Sequence, residues 1–386
     1  MNSTPGLRLS DGPLIIHMAP RLELCGHSER TTMLSRRQTL AGGAGFMAAL
    51  ATGSSNTALA SRVERRVPYG ACVNIAPLQD EAEYRAALET YCQQVIPEYG
   101  LYWDYLRPTR DQFNFDYADK VLAFAEANEM QMRGHTLVWY AAMPEWTKQI
   151  SSAAEAEREL AIHIDRVVSR YRGKIKTWHV VNEPIEETKG TVAGLRSSIW
   201  LRYLGDRYID TAFRLAHQAD PSAELILNDY DIECVGENFA ARRRALSTLV
   251  HDLLGRGVPL HGVGLQGHIQ GRYQIDSDGV TSFVSEMNSL GLSVHVTELD
   301  VIDEDLPPEI SLRDAMVAAR AHDFLKAVFA AARPEVIATW GITDRYTWMP
   351  MWFKRPDGLP NRPLPLDRDY QPKPLWTVID YFCQKQ

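Results

Sequence analysis

The chain has 386 residues, 45% hydrophobic and 23% charged, with a formal net charge of −8. That length suits one large domain or two ordinary ones, with ample residues for a core. The acidic balance argues against nucleic acid and anionic membranes as main partners, since both recruit Lys and Arg, and the main body has no run of about 20 apolar residues to span a bilayer.

The N-terminus is the first element. Ser35-Arg36-Arg37-Gln38-Thr39-Leu40 precedes a mildly apolar stretch at 41–51, and Ala58-Leu59-Ala60 supplies a small-residue cleavage site before Ser61. The pattern resembles a twin-arginine export signal. It divides the chain into an N-terminal extension and signal at 1–60, with Met33 as the alternative start, and a single mature domain at 61–386. The expected location is periplasmic or secreted. Cys25 would leave with the signal. Cys72, Cys92, Cys234 and Cys383 show no short paired spacing of the kind zinc or redox chemistry uses. Export permits a disulfide among them, and buried free thiols are the other reading.

From Tyr69 onward, β-rich runs alternate with helical spacing. The predicted strands cover 71–76, 95–103, 131–139, 175–183, 224–232, 261–269, 293–301 and 336–344. Between them Leu160, Ile164, Val167 and Tyr171 share one helical face, as do Leu204, Tyr208, Ala212 and Leu215. Arg172-Gly173 and Leu290-Gly291 stop helices ahead of strands. A last helix falls around 375–383, and the Pro-rich stretch 356–374 reads as an extended loop. Eight strand–helix units predict an α/β fold, a single (β/α)8 TIM barrel with enlarged βα loops. A doubly wound open sheet is the alternative, but no Gly-rich phosphate turn follows Ile75.

In such a barrel, active-site groups sit at the C-terminal ends of the strands. Polar and aromatic residues gather there: Glu98 and Trp103, His135 and Trp139, Asn182 and Glu183, Asn228 and Asp229, Gln266 and His268, Glu298 and Asp300, Trp340 and Asp344. Glu183 and Glu298, on the fourth and seventh strands, would face each other across the mouth. Two opposed carboxylates are what glycoside hydrolysis needs, one as proton donor and one to attack or to activate water. Glu298 and Asp300 alternate onto one strand face, where His268 could bridge them and keep Glu298 ionised. A nearby charged Glu298 would raise the pKa of Glu183. Trp103, Trp139, Trp146, Trp340, Trp348 and Trp352 fall at or after strand ends, where flat rings can stack on sugars, although several of the nine tryptophans belong to the core.

Six ordered blocks then carry a family resemblance: 133–139 (RGHTLVW), 178–183 (WHVVNE), 228–233 (NDYDIE), 262–269 (GVGLQGHI), 294–301 (VHVTELDV) and 340–348 (WGITDRYTW). Together they resemble family-10 glycoside hydrolases, the endo-β-1,4-xylanases, from about Tyr69 to Phe382. The resemblance implies a retaining double displacement with Glu183 as acid/base and Glu298 as nucleophile. It implies support of the nucleophile by His268 and Asp300, and contact of Asn182 with the sugar 2-hydroxyl. Glu98, His135, Trp139, Gln266, Trp340 and Trp348 would line the groove. It implies no metal and no organic cofactor. The expected binding partner is a polysaccharide or oligosaccharide, and the chain is expected to be a monomer.

The chain departs from the pattern in one region. The family's second-strand block reads Glu-Asn-x-x-Lys-Trp, and here Tyr99 and Tyr102 replace the Asn and Lys. Tyr140-Ala141-Ala142 stands where His-Ser-Gln is usual, and His179 stands where an acidic residue is usual. Each sugar hydroxyl left without a polar partner weakens binding by about 1–3 kcal/mol. The substrate is then xylan, or a different β-linked glycan such as an exopolysaccharide that Tyr99, Tyr102 and Tyr140 admit. A barrel that binds carbohydrate without cutting it is the reading from another functional class.

Overall fold

The computed structural model describes residues 65–186 and 194–385. The export signal and Cys25 lie outside the described residues.

Among the described residues, ten strands and eleven α-helices follow one another. The strands are β1 (Tyr69–Val73), β2 (Gln94–Pro97), β3 (Gln131–Met132), β4 (Gly134–Val138), β5 (Thr177–Asn182), β6 (Glu224–Asp229), β7 (Gly262–Leu265), β8 (His268–Gln270), β9 (Ser293–Ile302) and β10 (Ile337–Thr339). The helices are α1 (Ile75–Asp80), α2 (Ala82–Tyr91), α3 (Trp103–Leu106), α4 (Asp116–Ala127), α5 (Ala153–Arg170), α6 (Ile199–Leu204), α7 (Arg207–Ala219), α8 (Glu237–Gly255), α9 (Ser277–Ser289), α10 (Ile310–Ala331) and α11 (Pro374–Gln384).

The strands pair in the order β3-β2-β1-β10-β9-β7-β6-β5-β4, all in parallel, with β8 added to β9. The two ends of that path, β3 and β4, are parts of one stave interrupted only at Arg133. The sheet therefore closes on itself. Since β8 prolongs the stave of β7, the ten strands make eight staves, and the fold is the expected (β/α)8 barrel.

Local chemistry explains the main helices. Ser152 caps α5 by accepting from Glu155 N, and Leu160, Ile164, Val167 and Val168 on its inner face are buried. Asp276 caps α9 through Gly279 N, and Glu309 caps α10 through Ser311 N and Leu312 N. The terminal helix α11 returns to the start of the barrel, where Val67 N donates to Cys383 O. Cys72, Cys92, Cys234 and Cys383 are all buried and form no disulfide among the described residues. Among the described residues no helix is long and apolar enough to cross a membrane.

Several predicted boundaries shift. The strand expected over 95–103 ends at Pro97, and Trp103 instead opens α3. The helix expected through Leu204 and Tyr208 breaks at Gly205, which has φ 63°, so α6 and α7 meet there. The buried face of α7 runs through Tyr208, Ala212, Phe213 and Ala216, leaving Leu215 only partly covered. Glu298 lies inside a strand rather than at its end, because β8 pairs His268 with Asp300 and carries β9 on to Ile302.

Candidate active site

The site residues gather at the C-terminal mouth of the barrel, and the backbone there is shaped to aim them. Glu183 follows β5 with φ 53°, a conformation that costs a non-glycine residue about 1–3 kcal/mol and persists only when its surroundings enforce it. Glu183 N donates to Asn228 O at 2.8 Å. Arg196 Nε donates to Glu183 O at 3.0 Å, while its Nη2 reaches Ile185 O at 3.1 Å and the Tyr230 hydroxyl at 2.7 Å. Arg242 adds a bond to Ile185 O at 2.9 Å and another to Asp229 at 3.1 Å. Two guanidinium groups thus hold the 183–185 segment in its strained turn.

Across the barrel, Gly267 makes the turn between β7 and β8 with φ 75°, and its N–H donates to the buried Glu233 carboxyl at 3.1 Å. That turn delivers His268 to β9. His268 Nδ1 lies 2.8 Å from Asp300 and its Nε2 lies 3.3 Å from Glu298 Oε2. Trp348 Nε1 donates to the other Asp300 oxygen at 2.8 Å. The bridge expected from strand alternation is present.

An amide cluster joins the two glutamates. Asn228 Nδ2 donates to Glu298 Oε1 at 2.6 Å and to Asn182 Oδ1 at 2.8 Å, while Asn228 Oδ1 accepts from the Thr297 hydroxyl at 2.8 Å. Asn182 Nδ2 donates to Glu183 Oε1 at 3.1 Å. Gln266 Nε2 donates to both Asn182 Oδ1 and Glu183 Oε1 at 3.2 Å. Gln266 is buried, so it holds Asn182 and Glu183 from beneath, where the sequence suggested a groove-lining residue.

The electrostatics separate the two carboxyls. Burial pushes Glu183 up, Arg196 opposes it, and Asp229 and Glu298 add to it, leaving the pKa above the usual carboxylate range. Burial also pushes Glu298 up, but His135, His268 and the hydrogen bonds from His268 and Asn228 outweigh that, and its pKa falls below the usual value. Burial pulls His135 itself below an ordinary imidazole. Although desolvation opposes its charge, Asp300 and Glu298 raise His268 well above an ordinary imidazole. The site accordingly pairs a carboxyl whose pKa is raised with one whose pKa is lowered.

The family described as Glycosyl hydrolase family 10 matches residues 58–381. The chain belongs to that family. It is 34% identical over 326 residues to Endo-1,4-beta-xylanase B of Paenibacillus barcinonensis, covering 80% of this chain and 94% of that one. It is also 34% identical over 329 residues to Endo-1,4-beta-xylanase A of Thermoanaerobacterium saccharolyticum, a longer protein of which the match spans 27%. The structure of xylanase 10B from Thermotoga petrophila RKU-1 in complex with xylobiose superposes with a TM-score of 0.74 at 31% identity, covering 86% of this chain and 98% of that one.

Within this family-10 glycosidase, His135, Trp139, Trp340, Tyr102 and Trp348 gather around the two carboxyls. The Trp340 and His135 rings meet edge to face at 4.9 Å, and Trp348 packs on His268 at 5.1 Å. Trp103 and Trp146 do not join them. Trp103 donates to Leu137 O and stacks on His163 at 3.8 Å, and Trp146 donates to Arg107 O. Both rings are core, because their N–H groups are tied to buried carbonyls behind the staves. The tyrosines at altered positions form a wall: Tyr102 packs on Trp139 at 5.1 Å, Tyr99 and Tyr140 lie against the same cluster, and Ala141 and Ala142 complete it. Glu98, beside Tyr102, is pushed up to about 7 by burial, with Asn74 pulling the other way, and its Oε2 is buried without a partner.

Two functional groups escaped the sequence reading. Asn228 was visible as a polar strand end but carried no assigned role. Arg196 lies on no strand and in no recognised block, so no local signal marks it.

Proposed function

We propose that the protein is a retaining endo-β-1,4-xylanase in which Glu183 is the acid/base and Glu298 the nucleophile. One observation carries the reading: opposed staves present a Glu183 whose pKa is raised and a Glu298 whose pKa is lowered, linked by the Asn182–Asn228–Gln266 amides. Both amide donors to Glu183 fall on Oε1, so that oxygen behaves as the carbonyl of a protonated carboxyl and Oε2 carries the proton for the leaving oxygen. Glu298 then attacks the anomeric carbon, and the ionised Glu183 activates water to release the sugar from Glu298. Asn182 uses one amide hydrogen on Glu183 and keeps the other for the substrate 2-hydroxyl. The names of the relatives support xylan as the substrate.

The tyrosine wall favours a second reading, in which the groove takes a different β-linked glycan. Neutral aromatic surface at Tyr99, Tyr102 and Tyr140 suits stacking more than hydroxyl recognition. A panel of xylan, mixed-linkage glucan and exopolysaccharides, read by product mass and initial anomeric configuration, tests both. Internal cleavage of xylan with β-configured first products is the expected result. α-Configured first products refute the double displacement, and cleavage of another glycan alone selects the second reading. Binding of a glycan by the wild type without any cleavage would instead identify a carbohydrate-binding barrel.

We further propose export by the twin-arginine route, with Arg36 and Arg37 as the recognition pair. Replacing both by lysine should leave the protein in the cytoplasm and uncleaved. Periplasmic or secreted chain beginning at Met1 refutes the leader.

A further inference from the structure

We propose that His135, His179 and Glu298 form a binding site for a zinc-like divalent cation, and that occupancy silences the nucleophile. The inhibitory half rests on the catalytic reading above; the binding half does not.

The three residues come from neighbouring and opposed staves, and one donor atom from each lies within 4.8 Å of the others. His135 Nδ1 is 2.8 Å from His179 Nδ1 and 3.7 Å from Glu298 Oε1. The two rings stand at 86°, with centroids 4.9 Å apart. Two imidazoles and a carboxylate are a common zinc donor set, with Zn–N distances of about 2.0–2.1 Å. Two such nitrogens on a tetrahedral ion sit roughly 3.3 Å apart, so the rings need to part by about half an ångström.

The pair is poorly satisfied as it stands. Two neutral imidazoles can share one proton between their facing nitrogens. His179 Nε2 is buried with no partner in either tautomer, so a bond from Nδ1 to a metal creates no new unpaired group. Glu298 is already oriented by other residues: Asn228 occupies part of Oε1 at 2.6 Å, and His268 with Asp300 holds Oε2. A carboxylate oxygen has a second lone pair, and the one on Oε1 is available on the His135 side. Orienting partners of this kind raise metal affinity.

The residue that creates the donor set is His179. An acidic residue at that position would give His135 a hydrogen-bond acceptor and add a second negative charge. The histidine exchanges that acceptor for a nitrogen ligand. Glu298 bound to a cation cannot attack, so zinc and substrate compete for the same oxygen.

The test uses the untagged full chain and zinc chloride, with calorimetry for binding and glycan hydrolysis for inhibition. The expected result is a zinc site that His179→Gln and Glu298→Gln each weaken at least tenfold. In the wild type, zinc should inhibit competitively with xylo-oligosaccharide, with recovery on adding EDTA. Circular dichroism checks that each variant is folded, and His179→Asn serves if the glutamine variant is not. Zinc binding or inhibition that these substitutions leave unchanged, or no binding at about millimolar zinc, overturns the proposal. If calorimetry finds the site but no glycan is cleaved, the binding assignment stands and the catalytic reading fails.

Discussion

The Asn228 side-chain amide lies 2.6 Å from Glu298 Oε1, and its second hydrogen reaches Asn182 at 2.8 Å. A single neutral side chain on β6 thereby couples the nucleophile on one stave to the acid/base assembly on another. Hydrogen bonds to charged groups are worth about 1.5–3 kcal/mol. Asn228→Asp replaces a donor with a like charge beside Glu298. It should lower kcat/KM by roughly tenfold to a hundredfold or more and raise the pKa of Glu298. Steady-state kinetics across pH would show both effects, and an unchanged acid limb would contradict the coupling.

Gly264 on β7 is what leaves room for that amide. A Cβ at this position would overlap Asn228 Oδ1 and crowd Thr297 Cγ2. Gly264→Ala should therefore displace Asn228 and reproduce part of the Asn228 defect, with overpacking adding about 1–3 kcal/mol of instability. Urea denaturation measures the second effect and kcat/KM the first.

His268 sets the acid limb of activity. Its positive charge holds the pKa of Glu298 down, so the nucleophile stays ionised as pH falls. In His268→Gln the amide can still hydrogen-bond, but the charge is gone. The pKa of Glu298 should rise, and activity should be lost at a higher pH on the acid side. The alkaline limb should move far less. A pH–rate profile decides the matter.

Glu183 sets the opposite limb. As the proton donor it must be protonated, and its raised pKa extends activity upward until the proton is lost. Glu183→Ala removes the acid, which is worth about 10²–10⁴-fold. The loss should be smallest for aryl glycosides whose leaving groups need no proton. Equal losses on xylan and on an activated aryl substrate would argue against the acid role.

A buried ion pair lies outside the site. Arg107 Nη2 meets Glu159 Oε2 at 2.6 Å with both side chains almost fully buried, and Arg107 lies over the rings of Trp103, Phe113 and Trp146. Glu159→Ala strands that cation and should cost about 3–5 kcal/mol. Chemical denaturation would read this directly, and a cost under about 1 kcal/mol, the surface-pair range, would show that the pair is not desolvated.

Much of this architecture is legible in the chain. The alternation of β-rich runs with helical faces anticipates eight staves, because a strand buried on both sides must be apolar while its C-terminal end can be polar. The same logic singles out Glu183 and Glu298, and the two-residue repeat places Asp300 on the face of Glu298. Tryptophan is harder to read, since a ring at a strand end can face the cleft or the core. Trp139 and Trp340 face the site, whereas Trp103 and Trp146 are anchored by their N–H groups behind it.

The sequence by itself determined the barrel, the opposed carboxylates and the His268 bridge, all of which follow from periodicity and from position along each stave. Only the tertiary structure decided how those groups are tuned. The Asn228 amide reaching Glu298, the Arg196 clamp on the strained Glu183 turn and the facing rings of His135 and His179 join residues far apart in the chain. Their energies depend on distances of a few ångströms in a site shielded from water, where hydrogen bonds and charges act at full strength. No local pattern encodes such distances, since they arise only when the staves close into a ring.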